Sequence, residues 1–550
     1  MKQYLSNKVN IGNLVLGGNN KILTQSMTNT NTVDLDSSTL QCLTILKSGA
    51  DMVRLSAPNK KAAKAFKDIK VELNKSGFQN PLIADIHFNA SLAIEASVYA
   101  DKIRINPGNL VKNRINKTED SELEEVEKVM IEILKACTKN KTAIRIGVNQ
   151  GSLSQRILDK YGDTAEGMVV SAMEFLQICK KYDFRNIVVS MKSSNTLTMI
   201  YAHRLLVQEM LKENMHYPVH LGVTEAGSGL EGRIKSAFGI GTLLYDGIGD
   251  TFRVSLSEPP ENELKPSKQI LDCFPTKVST TVENINKLNT SFQPFKTLCV
   301  ENEEYKYPII IDRKTSEKIK TDFIIKDDNL ECLSNKKRFN LIPHPEYNNI
   351  KAVHNNTEKN TILIIRQQAG EALSVKNQII ELSKNPTNRF FIHLDLKDTP
   401  KKDIAVNASV ELGPLLADNL IHGFFIDGFN LPENILEISY AILQASRLRL
   451  TKTEFISCPT CARTLFDFTS VLEEVKSKTQ HLAGLKIAIM GCIVNGPGEM
   501  ADADYGCIIS GKNTFDLYKG KKCITKKIES HKLVNALIDT IKEDGNWKDK

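Results

Sequence analysis

No stretch of this 550-residue chain approaches the roughly 20 consecutive apolar residues that a membrane span needs. The start, Met1 to Gly18, lacks an apolar run behind a basic stretch and lacks an Arg- and Ser-rich amphipathic pattern. Neither secretion nor organelle import is indicated, and a cytoplasmic location is expected. Charge of one sign is scarce. The 72 basic and 65 acidic residues leave a formal net charge of +7, and Lys-rich stretches such as Lys60–Lys75 have the helical spacing of solvated faces. Neither nucleic acid nor a membrane is therefore an expected partner. Eleven cysteines in a chain with no secretory start argue against a disulfide framework. Cys42, Cys137, Cys179, Cys273, Cys299 and Cys332 each stand alone among apolar neighbours, as core fillers do. A glycine-rich phosphate turn is also missing. Met27-Thr28-Asn29-Thr30 follows the first strand-like run, which counts against an open doubly wound sheet.

What is present is a strict alternation. Hydrophobic content of 41% with 25% charged residues suits a globular chain, and the length implies two to four domains. From residue 20 to about 273, β-rich runs alternate with helical stretches such as Ser121–Lys139 and Ala165–Lys181. The runs are Ile22–Met27, Asp51–Ser56, Pro81–His87, Lys102–Asn106, Thr142–Val148, Asn186–Met191, Pro218–Val223 and Thr251–Leu256. Eight such units predict an α/β fold whose first domain, residues 1–273, is a (β/α)8 TIM-type barrel.

In such barrels the chemistry sits where strands end. Here the ends carry Arg54, Asp85 and His87, Arg104 and Asn106, Arg145 and Asn149, Lys192, Glu225, and Arg253 and Ser255. Any one of them reads most simply as a salt-bridge partner. Five cations in matching positions on five strands point instead to an anionic ligand, since a barrel interior does not tolerate them unpaired. Arginine forks and a lysine point charge suit phosphate oxygens, so a compact phosphorylated substrate is expected. Glu225, a carboxylate among cations, is the candidate proton carrier.

Near the C-terminus stand Ser457-Cys458-Pro459-Thr460-Cys461 and Gly491-Cys492-Ile493-Val494-Asn495-Gly496-Pro497-Gly498-Glu499. A structural zinc site usually takes four Cys or His as two close pairs, and the second pair is missing because Cys507 lies well beyond Cys492. A thioredoxin-type pair leaves Cys492 without a role, and plain buried cysteines leave the Pro- and Gly-rich turn unexplained. Three thiolates and a weaker ligand is the pattern of a 4Fe-4S cluster with one iron open to chemistry. The turn can bring Glu499 back toward that iron. On residues alone zinc stays open beside the cluster.

Taken together, these segments resemble the 4-hydroxy-3-methylbut-2-enyl diphosphate synthases (IspG, also called GcpE). The matching pieces are Ala84-Asp85-Ile86-His87-Phe88, Arg104-Ile105-Asn106-Pro107-Gly108-Asn109, Ile144–Asn149, His220–Gly227, Gly249–Ser255 and both cysteine segments, in the family's order. The resemblance implies reductive ring opening and dehydroxylation of 2-C-methyl-D-erythritol 2,4-cyclodiphosphate in the non-mevalonate pathway, with electrons from reduced ferredoxin or flavodoxin. It implies a 4Fe-4S cluster on Cys458, Cys461, Cys492 and Glu499. It implies a diphosphate clamp of Arg54, Arg104, Arg145 and Lys192, with Asn149 and Ser255 as hydrogen-bond donors. Arg253 belongs to the same mouth, and Glu225, Asp85 and His87 are the acid/base candidates. Related short enzymes resemble dimers in which one chain's cluster covers the other's barrel, so self-association is a further expectation.

Residues 274–450 depart from the short form and resemble the longer, three-domain form. To about 360 they are poorly periodic. Strand-like runs then return at Thr361–Ile365, Phe390–Leu394, Ile404–Val410 and Gly423–Asp427, with helical stretches at Ser374–Lys384 and Glu433–Leu448. This predicts a structural α/β insert, a degenerate second barrel, followed by an α+β iron–sulfur domain over 451–550. Arg366, Gln367 and His393 end strands without convergent partners in the sequence. Two rival functions differ in class: a phosphosugar-type barrel lyase or isomerase with a structural zinc domain, and a non-catalytic iron–sulfur sensor.

Overall fold

The computed structural model describes the chain except residues 1–2, 87–88, 112–118, 301–302, 313–320, 327–328, 334–337, 344–347, 354–360, 459–467, 492–495, 501 and 550. Within elements, the side chains of 299, 300, 303, 326, 329, 338–343, 353, 497 and 499 are also outside the description. Three sheets organise the rest. The first holds eight parallel strands: β1 (Leu23–Met27), β2 (Met52–Ser56), β3 (Leu82–Asp85), β4 (Lys102–Ile105), β5 (Ala143–Asn149), β6 (Ile187–Lys192), β7 (His220–Leu221) and β8 (Thr251–Phe252). They pair in ring order, and a parallel bridge from Val189 to Val219 closes β6 onto β7. The helices between them follow the 3.6-residue period. Helix Lys60–Lys75 buries Ala62, Ala63, Phe66, Ile69 and Leu73 and turns its lysines outward, and Asn59 Oδ1 caps it by accepting from Ala62 N at 2.9 Å.

One end of this barrel is sealed. Val9, Ile11 and Leu16 of an N-terminal hairpin pack on Leu23, Met52, Ile83, Ala143 and Val188, an apolar floor built from the first inward residue of five strands. Chemistry is therefore confined to the other end.

The second sheet is a closed barrel of β9 (Ile309–Asp312), β10 (Phe323–Lys326), β11 (Asn329–Cys332), β12 (Arg338–Pro343), β13 (Ile350–Val353), β14 (Thr361–Gln368), β15 (Asn388–Asp395) and β16 (Gly423–Asp427). Its neighbours β13-β14 and β10 through β13 run antiparallel, and the rest are parallel. The poorly periodic stretch thus supplies β9 to β13 of this barrel. Ile404–Val410, expected as a strand, is instead the first half of helix Ile404–Ala417. That helix is buried on nearly every side and shows no amphipathic period by which to recognise it. It packs on helix Gly229–Tyr245 of the first barrel, where Tyr245 Oη donates to Glu411 at 2.6 Å. Arg204 lies between Asp246 (2.8 Å) and Asp418 (2.6 Å), fully buried, and ties the two barrels further. Arg366, Gln367 and His393 meet Asp395, Glu411 and Asp427 respectively.

The third sheet runs β17 (Glu454–Ser457), β18 (Lys486–Met490), β19 (Tyr505–Gly511), β20 (Thr514–Lys519) and β21 (Lys522–Glu529). Helices Thr469–Thr479 and Ser530–Glu543 cover one face through Leu472, Val475, Leu533 and Leu537.

Candidate active site

Alternation along the strands sets the mouth of the first barrel. Two residues beyond each apolar floor position stands a polar side chain: Gln25, Arg54, Asp85, Arg145 and Ser190. Arg54 Nε donates to Met27 Sδ at 2.9 Å. Arg104 donates from Nη2 to the Gly147 carbonyl at 2.8 Å and to Asn149 Oδ1 at 3.2 Å, and its Nη1 lies 3.4 Å from Asp85 Oδ1. Arg145 is 1% exposed, and neither Nε nor Nη1 meets a hydrogen-bond partner among the described residues. Burial, then Arg54 and Arg104, push its guanidinium well below its ordinary range, against the pull of Asp85. Lys192, also buried, is pushed down by burial and then by Arg145, Arg54 and Arg253. Gly222 leaves room for it, since a Cβ there would lie 2.7 Å from Lys192 Nζ. Among the described residues the mouth holds more cation than carboxylate to balance it, and a bound polyanion would counter the mutual repulsion of these cations.

Arg253 has a second commitment that the sequence did not reveal. Glu263 grips it at 2.9 and 2.7 Å and also accepts from Ser26 Oγ at 2.7 Å. Its charge still bears on Arg145 and Lys192. Glu263 ends the short 3-10 turn Pro260–Glu263, and no local pattern marks it as the partner of Arg253. Ser255 is buried at the same mouth. Asn106 caps helix Pro107–Leu110, accepting from Gly108 N at 3.2 Å, and its Nδ2 donates to Ser152 Oγ at 2.9 Å.

Glu225 follows β7 with φ +48°, a left-handed conformation that costs a long side chain energy. It is 2% exposed and accepts from Thr224 Oγ1 at 2.5 Å. The next residue, Ala226, forms a parallel bridge with Ser457, which immediately precedes Cys458. Ser257 Oγ donates toward the carbonyls of Ser457 (3.0 Å) and Cys458 (3.2 Å). On another side Gly151, after β5, meets Gly498: a Cβ on Gly151 would lie 1.8 Å from the Gly498 carbonyl oxygen. The C-terminal domain thus sits on the barrel mouth of its own chain. Glu454 anchors it, accepting from Lys235 at 2.8 Å and from Arg447 at 3.0 Å.

Parallel pairing of β17 with β18, with Ser457 opposite Ile489, sends both cysteine segments off one edge of the sheet. Gly491 N donates to Cys458 Sγ at 3.1 Å. A backbone N–H aimed at a sulfur favours its thiolate, as in iron–sulfur sites. Among the described residues, Cys458 with this N–H fits a thiolate ligand. Cys461, Cys492 and His87 lie outside the described residues, as does the side chain of Glu499, whose backbone ends the short helix Gly496–Glu499.

Comparison with known proteins agrees with this geometry. Residues 6–268 match the GcpE TIM-barrel domain, and residues 454–543 match the GcpE protein C-terminal domain. The chain belongs to the GcpE family. The 4-hydroxy-3-methylbut-2-en-1-yl diphosphate synthase (flavodoxin) of Phocaeicola vulgatus is 40% identical, over 99% of this chain and 98% of its own. Proteins of the same name from Parabacteroides distasonis (38%, over 98% of each chain) and Protochlamydia amoebophila (38%, over 98% and 96%) align as fully. These alignments take in the insert, which neither GcpE domain match reaches. GcpE membership makes the chain an enzyme of non-mevalonate isoprenoid synthesis, in a family of iron–sulfur oxidoreductases. No helix among the described residues is long and apolar enough to cross a membrane.

Proposed function

We propose that this GcpE chain reduces 2-C-methyl-D-erythritol 2,4-cyclodiphosphate to 4-hydroxy-3-methylbut-2-enyl diphosphate in a site assembled between its own barrel and its own C-terminal domain. The observation that carries the proposal is the Ala226–Ser457 bridge, which lays the segment leading into Cys458 alongside the segment that carries Glu225. Arg54, Arg104, Arg145 and Lys192 clamp the diphosphate, with Asn149 and Ser255 as hydrogen-bond donors and Arg253 contributing charge while Glu263 holds it. Charged hydrogen bonds in a desolvated mouth fix the substrate and neutralise the phosphoryl charge as the ring opens. Cys458, Cys461, Cys492 and Glu499 hold a 4Fe-4S cluster, which supplies two electrons in turn and a Lewis-acidic iron when bound. Glu225 holds the proton with which the hydroxyl leaves as water, and Asp85, near Arg104, balances charge at the mouth, with His87 the remaining acid/base candidate.

The electron donor is reduced flavodoxin, as in the relatives' names, with ferredoxin the second candidate; a cytoplasmic site of action without nucleic acid belongs to the same proposal. The insert is structural: it holds the C-terminal domain where one chain can close on itself. Anaerobic purification tests the reading. Brown protein with iron and sulfide in equal amounts, turning over the cyclodiphosphate with a low-potential reductant, is expected. Colourless zinc protein, or brown protein inert toward this substrate, contradicts it.

A further inference from the structure

Below the clamp the barrel interior does not turn apolar at once. Around and beneath the inner atoms of the clamp's Arg145 lie Gln25, Lys102, Ser190, His220 and Thr251, none more than 1% exposed. His220 pairs in register with Thr251, which pairs with Leu23 of the floor, and Lys102 pairs with Ala143 of the floor. Both ring nitrogens of His220, both amide atoms of Gln25, Ser190 Oγ, Thr251 Oγ1 and Arg145 Nε and Nη1 meet no hydrogen-bond partner among the described residues. Among the described residues Lys102 Nζ reaches only Met52 Sδ, at 3.7 Å. Each orphaned buried polar group costs free energy, and a packed barrel usually fills this layer with branched apolar residues. Nearly all of these atoms can donate, and three of the side chains are basic. One acceptor-rich group satisfies several at once. Burial and the nearby Arg145, Lys192 and Lys102 keep His220 neutral, with one N–H to give.

We propose that this layer is a second tier of substrate contact, in which His220 is a binding residue that donates to a phosphoryl oxygen from beneath the clamp. The proposal rests on the clamp reading above and deepens it. The mouth holds the diphosphate laterally, and the tier sets how deep it sits and so where the carbon–oxygen bond to be broken lies. The neutral donor discriminates for an oxyanion without adding another cation to a site already crowded with them.

His220→Leu keeps the volume and removes two orphaned atoms, so opposite effects on stability and binding are expected. The holoenzyme carrying it melts at or above the wild-type temperature and binds inorganic pyrophosphate roughly 10- to 100-fold more weakly, the loss for one charge-assisted hydrogen bond. His220→Gln, which restores a donor, recovers most of the affinity. Should His220→Leu misfold, Ser190→Ala, which removes another donor of the same tier, supplies the comparison. Pyrophosphate affinity unchanged in His220→Leu while Arg145→Ala weakens it overturns the tier and leaves the clamp standing. Affinity unchanged in both variants overturns the clamp as well.

Discussion

Glu454 is the latch between the barrel and the C-terminal domain, and Glu454→Gln releases it. The carboxylate is 7% exposed and serves Lys235 of the barrel helix and Arg447 of the preceding segment, and Arg447 also binds Asp502 at 2.7 Å. Burial alone would push this carboxyl up, but Lys235 and Arg447 outweigh it and hold it at about 2, against an ordinary 4.5. That difference corresponds to about 3 kcal/mol of interaction. The figure agrees with the about 3 kcal/mol lower bound for removing one member of a buried pair and stranding its cations. The closed arrangement should therefore weaken by up to roughly 100-fold. Anaerobic turnover falls with the cluster's absorbance unchanged, and protease cuts the 448–453 connection faster. Because the folded-state pKa is depressed, the contribution is complete above about 4.5 and is lost as pH falls toward about 2. The gap in urea resistance between wild type and variant closes over that window. Wild-type turnover and proteolysis in Glu454→Gln at neutral pH would refute the latch.

Arg145→Ala should raise KM and cost roughly 1.5–3 kcal/mol of substrate binding while leaving the cluster spectrum intact, because clamp and cluster ligands belong to different domains. Cluster loss in that variant contradicts the assignment. Gly498→Ala puts a Cβ where the Gly151 carbonyl oxygen would be 2.1 Å away. Turnover should drop sharply with normal iron content, and unchanged kinetics would mean that the two loops part during catalysis. Glu499→Ala should yield a labile or three-iron cluster by Mössbauer spectroscopy, since a carboxylate is a hard, exchangeable ligand whose loss opens one iron. A full cluster with normal turnover would send the search for the fourth ligand to Cys507.

The first barrel was legible because its signal is redundant. Most strand-like runs carried a polar mouth residue inside them or just past their end, and even β7 and β8, two residues long in the structure, lie inside runs recognised at Pro218–Val223 and Thr251–Leu256. The insert was harder. Helix Ile404–Ala417 is apolar nearly all round, and β9 to β13 are short strands, most of them in antiparallel pairs, whose period is soon spent. Contacts between distant segments leave no local pattern at all. Lys235 and Glu454 lie 219 positions apart, and nothing near either residue announces the other. His220 was overlooked for a related reason: a histidine inside a strand looks like a core residue until its neighbours across the barrel prove to be Arg145, Lys192 and Lys102.

That one chain joins its own clamp to its own cluster is tested most directly by mixing two inactive enzymes. An Arg145→Ala chain keeps its cluster, and a Cys492→Ser chain keeps its clamp. If each chain closes on itself, the anaerobic mixture stays as inactive as its components at every ratio. Turnover that appears on mixing, and peaks near equal amounts, would show that barrel and cluster are exchanged between chains and would contradict the account.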